Sequence, residues 1–128
     1  MYISALDKDI PMVYTVEVQT ALAERAGGRL EDINKLFDQD NAAQATEQTV
    51  WVMAELMKAA VNREKVRCKA LGEEYAGGEP LTCEDLRVLL TMEEMKKATR
   101  EMYAIMLKGN DTTVEAEEEK GKNVETAQ

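Results

Sequence analysis

Histidine is absent from this 128-residue chain, and proline, cysteine and aromatic residues are scarce. Without histidine, the chain lacks the commonest general base, the usual zinc ligand and every serine–histidine or cysteine–histidine nucleophile pair. The two cysteines, Cys68 and Cys83, are far apart and lack metal-type spacing. The glycine doublets Gly27-Gly28 and Gly77-Gly78 lie outside any phosphate-binding motif. We therefore predict a protein that is not an enzyme and has no metal or cofactor.

Long apolar runs are also absent, since no stretch reaches the roughly 18 residues that a membrane-spanning helix needs. The first residues, Met1–Asp7, lack the basic region and apolar run of a signal peptide. We therefore expect a cytoplasmic protein whose cysteines are reduced thiols.

Positive charge is in deficit, because 25 acidic residues face 16 basic ones and the formal net charge is -9. Such a chain repels phosphate backbones, and no basic stripe with interleaved aromatic residues offsets the repulsion. Nucleic acids and anionic membranes are therefore not expected partners.

Methionine, by contrast, is abundant, with eight residues, and hydrophobic residues make up 45% of the chain. A core of Met, Leu and Ala is adaptable. We predict a mainly α fold, with a single helical domain over residues 1–110, about four to five helices and a short N-terminal β-hairpin. Residues 111–128 are acidic and almost free of large apolar groups, which predicts a disordered tail.

The predicted hairpin turns at Leu6–Ile10, and its second strand carries alternating apolar residues. These are Ile10, Met12, Tyr14, Val16 and Val18.

Helical spacing begins near Val18, and Gly27-Gly28 ends the first predicted helix. A short helix over Arg29–Phe37 and a long one over Thr46–Leu71 follow. Between Val50 and Val61 the long helix is apolar on nearly every face, which predicts a central position or one covered by a partner. Its charged end, Asn62–Lys69, is expected to project into water.

Two capping boxes, which begin at Thr82 and Thr91, predict two further helix starts. Gly109-Asn110 is expected to end the second of these helices. The carboxylate pairs Glu84-Asp85 and Glu93-Glu94 are adjacent in sequence, so they do not share a helix face. They are better explained as charge at helix starts than as acid–base or metal-binding pairs.

The remaining candidate site is apolar surface. A methionine stripe at 3–4 spacing on the last helix, with methionines of the central helix, could form a pliable groove for a partner's apolar segment. The alternative is that these residues fill the core. The candidate partner-binding residues are Trp51, Met53, Met57, Met92, Met95, Met102 and Met106.

The order of these features resembles that of the tail assembly chaperones of long-tailed phages and prophages. The resemblance covers roughly Leu6 to Lys108 and includes the hairpin with its Asp-Lys-Asp turn, Leu30–Ile33 and the apolar Val50–Met57 segment. Its most suggestive segment is Pro80–Leu86, similar to the Pro-Leu-Thr-acidic-Leu helix start common in that family.

This resemblance implies a non-catalytic viral or prophage protein of the host cytoplasm. Such chaperones coat the long, apolar tape measure protein and are displaced as major tail protein polymerises around it. Homo-oligomers are also plausible, because an all-round apolar helix in a small domain favours self-association. The alternative is a small acidic helical adaptor or inhibitor, such as a nucleic-acid mimic, that acts by protein–protein binding.

Overall fold

The computed structural model describes residues 1–38 and 40–122, with side chains up to residue 109. It is mainly helical and begins with a two-stranded antiparallel hairpin, which confirms the predicted fold class. The strands are β1 (Tyr2–Ile3) and β2 (Lys8–Asp9). The helices are α1 (Val16–Arg25), a 3-10 helix (Leu30–Leu36), α2 (Ala42–Leu71), α3 (Cys83–Leu89) and α4 (Met92–Lys122).

The hairpin is shorter than the sequence predicts. Tyr2 pairs with Asp9 and Ile3 with Lys8, and the turn occupies the residues between the strands. The Met1 amino group donates to the Asp9 carboxylate and to the Ile10 carbonyl, at 3.0 and 2.9 Å. The fully buried Ile3 side chain anchors the hairpin in the core.

The predicted continuation of the second strand through Val18 is wrong. The strand ends at Asp9, and α1 begins at Val16 because the Thr15 hydroxyl accepts a hydrogen bond from the Val18 N–H, 3.5 Å away. Between them, the Val13 N–H donates to the Leu56 carbonyl of α2, at 3.2 Å, rather than to a strand. The alternating pattern therefore belongs to a segment that lies against a helix.

The central helix α2 forms as expected and begins four residues earlier than the predicted Thr46. The Asn41 side chain accepts from the Gln44 N–H, and Gly72 ends the helix in the left-handed conformation at φ 72°. Most side chains between Val50 and Ala59 are buried, on several faces of the helix. This central position agrees with the apolar composition of the segment.

Both predicted capping boxes form. Thr82 and Asp85 exchange side chain–backbone hydrogen bonds at the start of α3, at 3.0 and 3.1 Å. Thr91 and Glu94 do the same at the start of α4, at 3.2 and 3.1 Å. A second oxygen of Glu94 accepts the Ser4 N–H at 2.8 Å, so this cap also fixes the hairpin to α4.

The expected helix end at Gly109-Asn110 is wrong, because α4 continues to Lys122. A single glycine costs a helix only about 1 kcal/mol, and the helical residues that follow include four Glu, two Lys and one Ala, which are good helix formers. The division into a folded domain and a disordered tail stays a prediction, and residues 123–128 lie outside the described part of the chain.

One hydrophobic core joins all the elements. Its fully buried side chains come from the hairpin, α1, α2, α3 and α4, with α2 contributing the most. The largest of them are Ile3, Leu22, Met53, Leu56, Met57, Leu86 and Met102.

Candidate functional site

Four of the seven candidate partner-binding residues lie in the core. Met53 and Met57 of α2 and Met102 and Met106 of α4 are all buried, and they belong to one cluster. A partner could reach Met53 or Met102 only if the helices moved apart. Whether these residues bind a partner stays a prediction, but all four belong to the hydrophobic core.

The other three candidates occupy separate places. Trp51 is half-buried, and the Arg25 guanidinium lies over its ring, 4.2 Å from the centroid. Met95 is half-buried and borders a shallow depression between α2 and α4, whereas Met92 is 68% exposed at the start of α4. The methionine stripe therefore does not form one continuous surface.

A groove with a volume of about 930 Å³ lies on one side of α2. Of the seven candidates, only Met57 lines it. We refer to this feature as the groove. Its lining residues belong to the segment Leu6–Val13, the second half of α2 and the loop after α2: Leu6, Lys8, Asp9, Ile10, Pro11, Val13, Met57, Ala60, Val61, Arg63, Glu64, Arg67, Cys68 and residues 73–81.

The floor of the groove is a row of side chains along α2. Met57, Val61, Glu64 and Cys68 follow one another at three- or four-residue spacing, so they lie on one face of the helix. Eleven residues separate the ends of this row, which at 1.5 Å per residue is a length of about 16 Å, or three helical turns. The row is apolar at both ends, and its one carboxylate, Glu64, is half-buried.

One wall of the groove is the segment between the hairpin turn and α1. Ile10, Pro11 and Val13 border the groove, whereas Met12 between them is buried in the core. The hydrogen bond from the Val13 N–H to the Leu56 carbonyl holds this wall against α2. A backbone hydrogen bond and the packing of Met12 in the core therefore hold this wall in place.

The opposite wall is the loop Glu73–Leu81, which connects α2 to α3 and which we call the strap. It runs beside α2 and is attached to it by charged groups. The Lys65 ammonium lies 3.1 Å from a Glu79 carboxylate oxygen and 5.5 Å from the centroid of the Tyr75 ring. Arg67 contacts Glu73 at 3.3 Å, and the Glu73 N–H donates to the Cys68 carbonyl at 2.8 Å.

The strap also has an internal contact. The Tyr75 hydroxyl donates to the Gly78 carbonyl at 2.6 Å, which closes a tight turn. A Cβ on Gly77 would come 2.5 Å from the Tyr75 hydroxyl oxygen, so a side chain at this position would displace the Tyr75 ring.

Charged groups of the rim are paired with one another. Arg67 donates two hydrogen bonds to the Glu64 carboxylate, and these bonds lower the pKa of Glu64. At the floor, Cys68 is 5% exposed, and its Sγ donates to a Glu64 oxygen at 3.6 Å. Burial first, then the neighbouring carboxylate, raises the pKa of the Cys68 thiol, which favours the neutral form at neutral pH.

The second thiol, Cys83, is half-buried at the start of α3. Burial raises the pKa of this thiol as well, although nearby Arg25 opposes the shift. A helix N-terminus can lower a thiol pKa, but here the loss of solvation is larger. Cys83 is therefore better explained as a structural residue than as a reactive thiol.

One carboxylate of each acidic pair at a helix start has a structural partner. Asp85 and Glu94 accept backbone N–H groups at two helix starts, as predicted. Glu73 of the strap pairs with Arg67. Within the described residues, no group of three or more Cys, Asp or Glu side chains converges in a way that could hold a metal ion.

The sequence did not identify the groove. It assigned Asn62–Lys69 to a helix end that projects into water, because charge dominates there. In the structure the strap returns along this end, Cys68 is buried, and Glu64 and Arg67 line the rim. One usable signal was Cys68 itself, an apolar side chain spaced seven residues after Val61 on the same helix face.

Comparisons with family models, with curated proteins and with solved structures find no match to this chain. Among the described helices, none combines the length and the hydropathy that a membrane crossing requires. The function is therefore best inferred from the groove.

Proposed function

We propose that the protein is a non-catalytic binding protein of the phage tail assembly chaperone type, which shelters an apolar helical segment of a tape measure protein in the groove. The observation that carries this proposal is the groove on α2, which has apolar side chains on its floor and ion pairs at its edge. A site of this kind suits an amphipathic helix whose apolar face lies against the floor.

The size of the groove supports a helical occupant. The floor row from Met57 to Cys68 is about three helical turns long, a length that suits a partner helix of similar length. Half-buried Ala60 and Val61 leave apolar surface on the floor that a partner could cover. Displacement by major tail protein would then return the groove to its unbound state.

The rim supports solubility of the complex. Arg67, Glu64 and Glu73 form a cluster of surface ion pairs around the apolar floor. The formal net charge of -9 keeps like-charged complexes apart. This combination fits a protein that keeps a partner's apolar segment from aggregating.

Co-expression with the tape measure protein encoded in the same genome, followed by affinity capture, tests the proposal. Val61→Glu places a charge on the floor of the groove, and we expect it to abolish capture. The matched control is Val66→Glu, the same substitution on the same helix, at a residue that is 63% exposed and outside the groove. This control should capture normally.

Circular dichroism separates loss of binding from loss of folding. If Val61→Glu unfolds the protein, Ala60→Glu at the half-buried neighbouring position is the second variant. A folded variant with a charged floor and undiminished capture would exclude the groove as the site. Failure of the wild-type chain to capture the tape measure protein would refute the chaperone assignment.

A further inference from the structure

The strap differs from the other wall of the groove in how it is attached. The segment before α1 is held by core packing and a backbone hydrogen bond, whereas residues 73–79 of the strap are mostly exposed. Among these residues, only Tyr75 is even half-buried. A segment with few buried apolar contacts belongs to the part of a protein that opens at low free-energy cost.

Two cations of α2 contact the strap. Lys65 contacts both the Glu79 carboxylate and the Tyr75 ring, and Arg67 contacts Glu73. Exposed ion pairs and cation–π contacts each contribute little to stability. The loss of a single lysine should therefore release a large part of the attachment.

Glycines before the strap and within its exposed part permit movement. Gly72 adopts the left-handed conformation between α2 and the strap, and Gly77-Gly78 precede Glu79 and Pro80. The strap can therefore swing away from α2 by rotation at residues without a Cβ, while Leu81 stays packed against the core.

The far end of the groove floor lies beside the strap. Cys68 is buried although the residues around it on α2 are polar, and its carbonyl and side chain lie beside the strap and the rim. Leu71, at the end of α2, is already 59% exposed. Removal of the strap would therefore extend the apolar floor from Val61 towards Leu71.

We propose that the strap is a lid on the groove, which Lys65 keeps closed and whose opening uncovers Cys68 and lengthens the floor. The part of this inference that concerns partner access rests on the function proposed above. The opening itself is a property of the isolated chain and can be measured without a partner.

Cys68 supplies the readout, since a thiol beneath the lid reacts only when the lid is open. In a Cys83→Ser background, which leaves one thiol, the rate of modification of Cys68 by N-ethylmaleimide is followed by mass spectrometry. The raised pKa of the buried thiol keeps it neutral in the closed state, so the closed form adds little to the rate.

Lys65→Met removes both contacts of the ammonium and keeps the length of the side chain. We expect it to raise the modification rate about three- to tenfold. Glu79→Gln, which removes the ion pair alone, should have a smaller effect in the same direction. The matched control is Lys58→Met, which breaks the 3.4 Å ion pair with Glu55 on the same helix, outside the groove. This control should leave the rate unchanged.

Low concentrations of urea separate lid opening from global unfolding. Opening of a short loop exposes little surface, so the rate should be nearly independent of urea below the unfolding transition. Equal rates for Lys65→Met and Lys58→Met would overturn the proposal. The lid proposal would also be overturned if the Cys68 modification rate rose with urea as steeply as the global unfolding equilibrium does.

The two proposals fail in different ways. A faster reaction of Cys68 in Lys65→Met, together with no capture of the tape measure protein, would refute the chaperone function and support the lid. Capture that depends on Val61, together with a Cys68 rate insensitive to Lys65, would support the chaperone function and refute the lid.

Discussion

The ring of Tyr14 lies against Gly109 of α4, so closely that a Cβ on Gly109 would come 2.8 Å from the Tyr14 Cδ2 atom. This contact joins the segment before α1 to the last helix. It explains why a glycine occupies a helical position where alanine would be favoured by about 1 kcal/mol. The glycine marks a close approach and not a helix end.

Gly109→Ala should therefore have opposite effects in two backgrounds. In the wild-type chain the clash with Tyr14 offsets the gain in helix propensity, so the free energy of unfolding stays the same or falls. In a Tyr14→Ala background the clash is absent, and the substitution should raise the free energy of unfolding by about 0.5–1 kcal/mol. Urea denaturation of the four variants measures the coupling, and equal effects in both backgrounds would contradict the contact.

Met102 and Met92 lie on the same helix and provide a test of the core. Met102 is fully buried, so Met102→Ala should cost about 2–5 kcal/mol. Met92 is 68% exposed, and Met92→Ala should change the stability by less than about 0.5 kcal/mol. Met102→Leu, which nearly conserves volume, should cost under about 1.5 kcal/mol. Similar losses for the two alanine variants in thermal or urea unfolding would argue against the buried position of Met102.

A glutamate at Met57 or Met102 should prevent folding. Both side chains are buried in the core, where an unpaired charge has no compensating partner. Circular dichroism should show loss of helix for either variant at neutral pH. A folded, helical Met102→Glu protein would mean that α4 does not pack on α2 as described.

The Glu94 carboxylate gives the stability a defined pH dependence. Hydrogen bonds from Ser4, the largest cause, and from Thr91 lower the pKa of Glu94 below its ordinary value of 4.5. Its contribution to stability is therefore complete above about pH 4.5 and is lost as the pH falls through the lowered pKa. Glu94→Gln should reduce the loss of stability over this range.

Glu93→Gln is the matched control for that measurement, because Glu93 is the exposed neighbour in the same helical turn. It should lose stability with falling pH as the wild-type chain does. Thermal unfolding between pH 3 and pH 6 compares the three proteins. Identical pH profiles for Glu94→Gln and the wild type would show that the cap does not contribute through its charge.

Deletion of residues 111–128 distinguishes the groove from the acidic end of the chain. Six acidic residues and two lysines lie in this segment. We expect the shortened protein to capture the tape measure protein as well as the full chain does, because the groove is formed by earlier residues. Loss of capture in a folded deletion variant would instead favour an acidic adaptor or inhibitor that docks through this segment.

The sequence predicted the elements that depend on local chemistry. The two capping boxes at Thr82 and Thr91 formed because hydroxyl, carboxylate and backbone partners lie within three residues of each other. The central position of α2 followed from apolar residues on nearly every face between Val50 and Val61. In both cases, all the residues that form the signal are close together in the sequence.

The features that the sequence missed depend on residues that are distant in the chain. Alternation from Ile10 to Val18 predicted a strand, but its hydrogen-bonding partner is Leu56 on a helix. Most charged side chains at the end of α2 are exposed, as expected, but Lys65 also pairs with Glu79, fourteen residues later. Sequence periodicity does not predict such pairs, because the conformation of the loop between the two residues determines whether they meet.

The single tryptophan, Trp51, lies beneath the Arg25 guanidinium where α1 meets α2, and it does not line the groove. Its emission should therefore follow the docking of α1 and respond little to occupancy of the groove. A titration that relied on intrinsic fluorescence could miss a bound partner altogether. A reporter for ligand binding belongs on the strap, where Tyr75 offers an aromatic position for substitution by tryptophan.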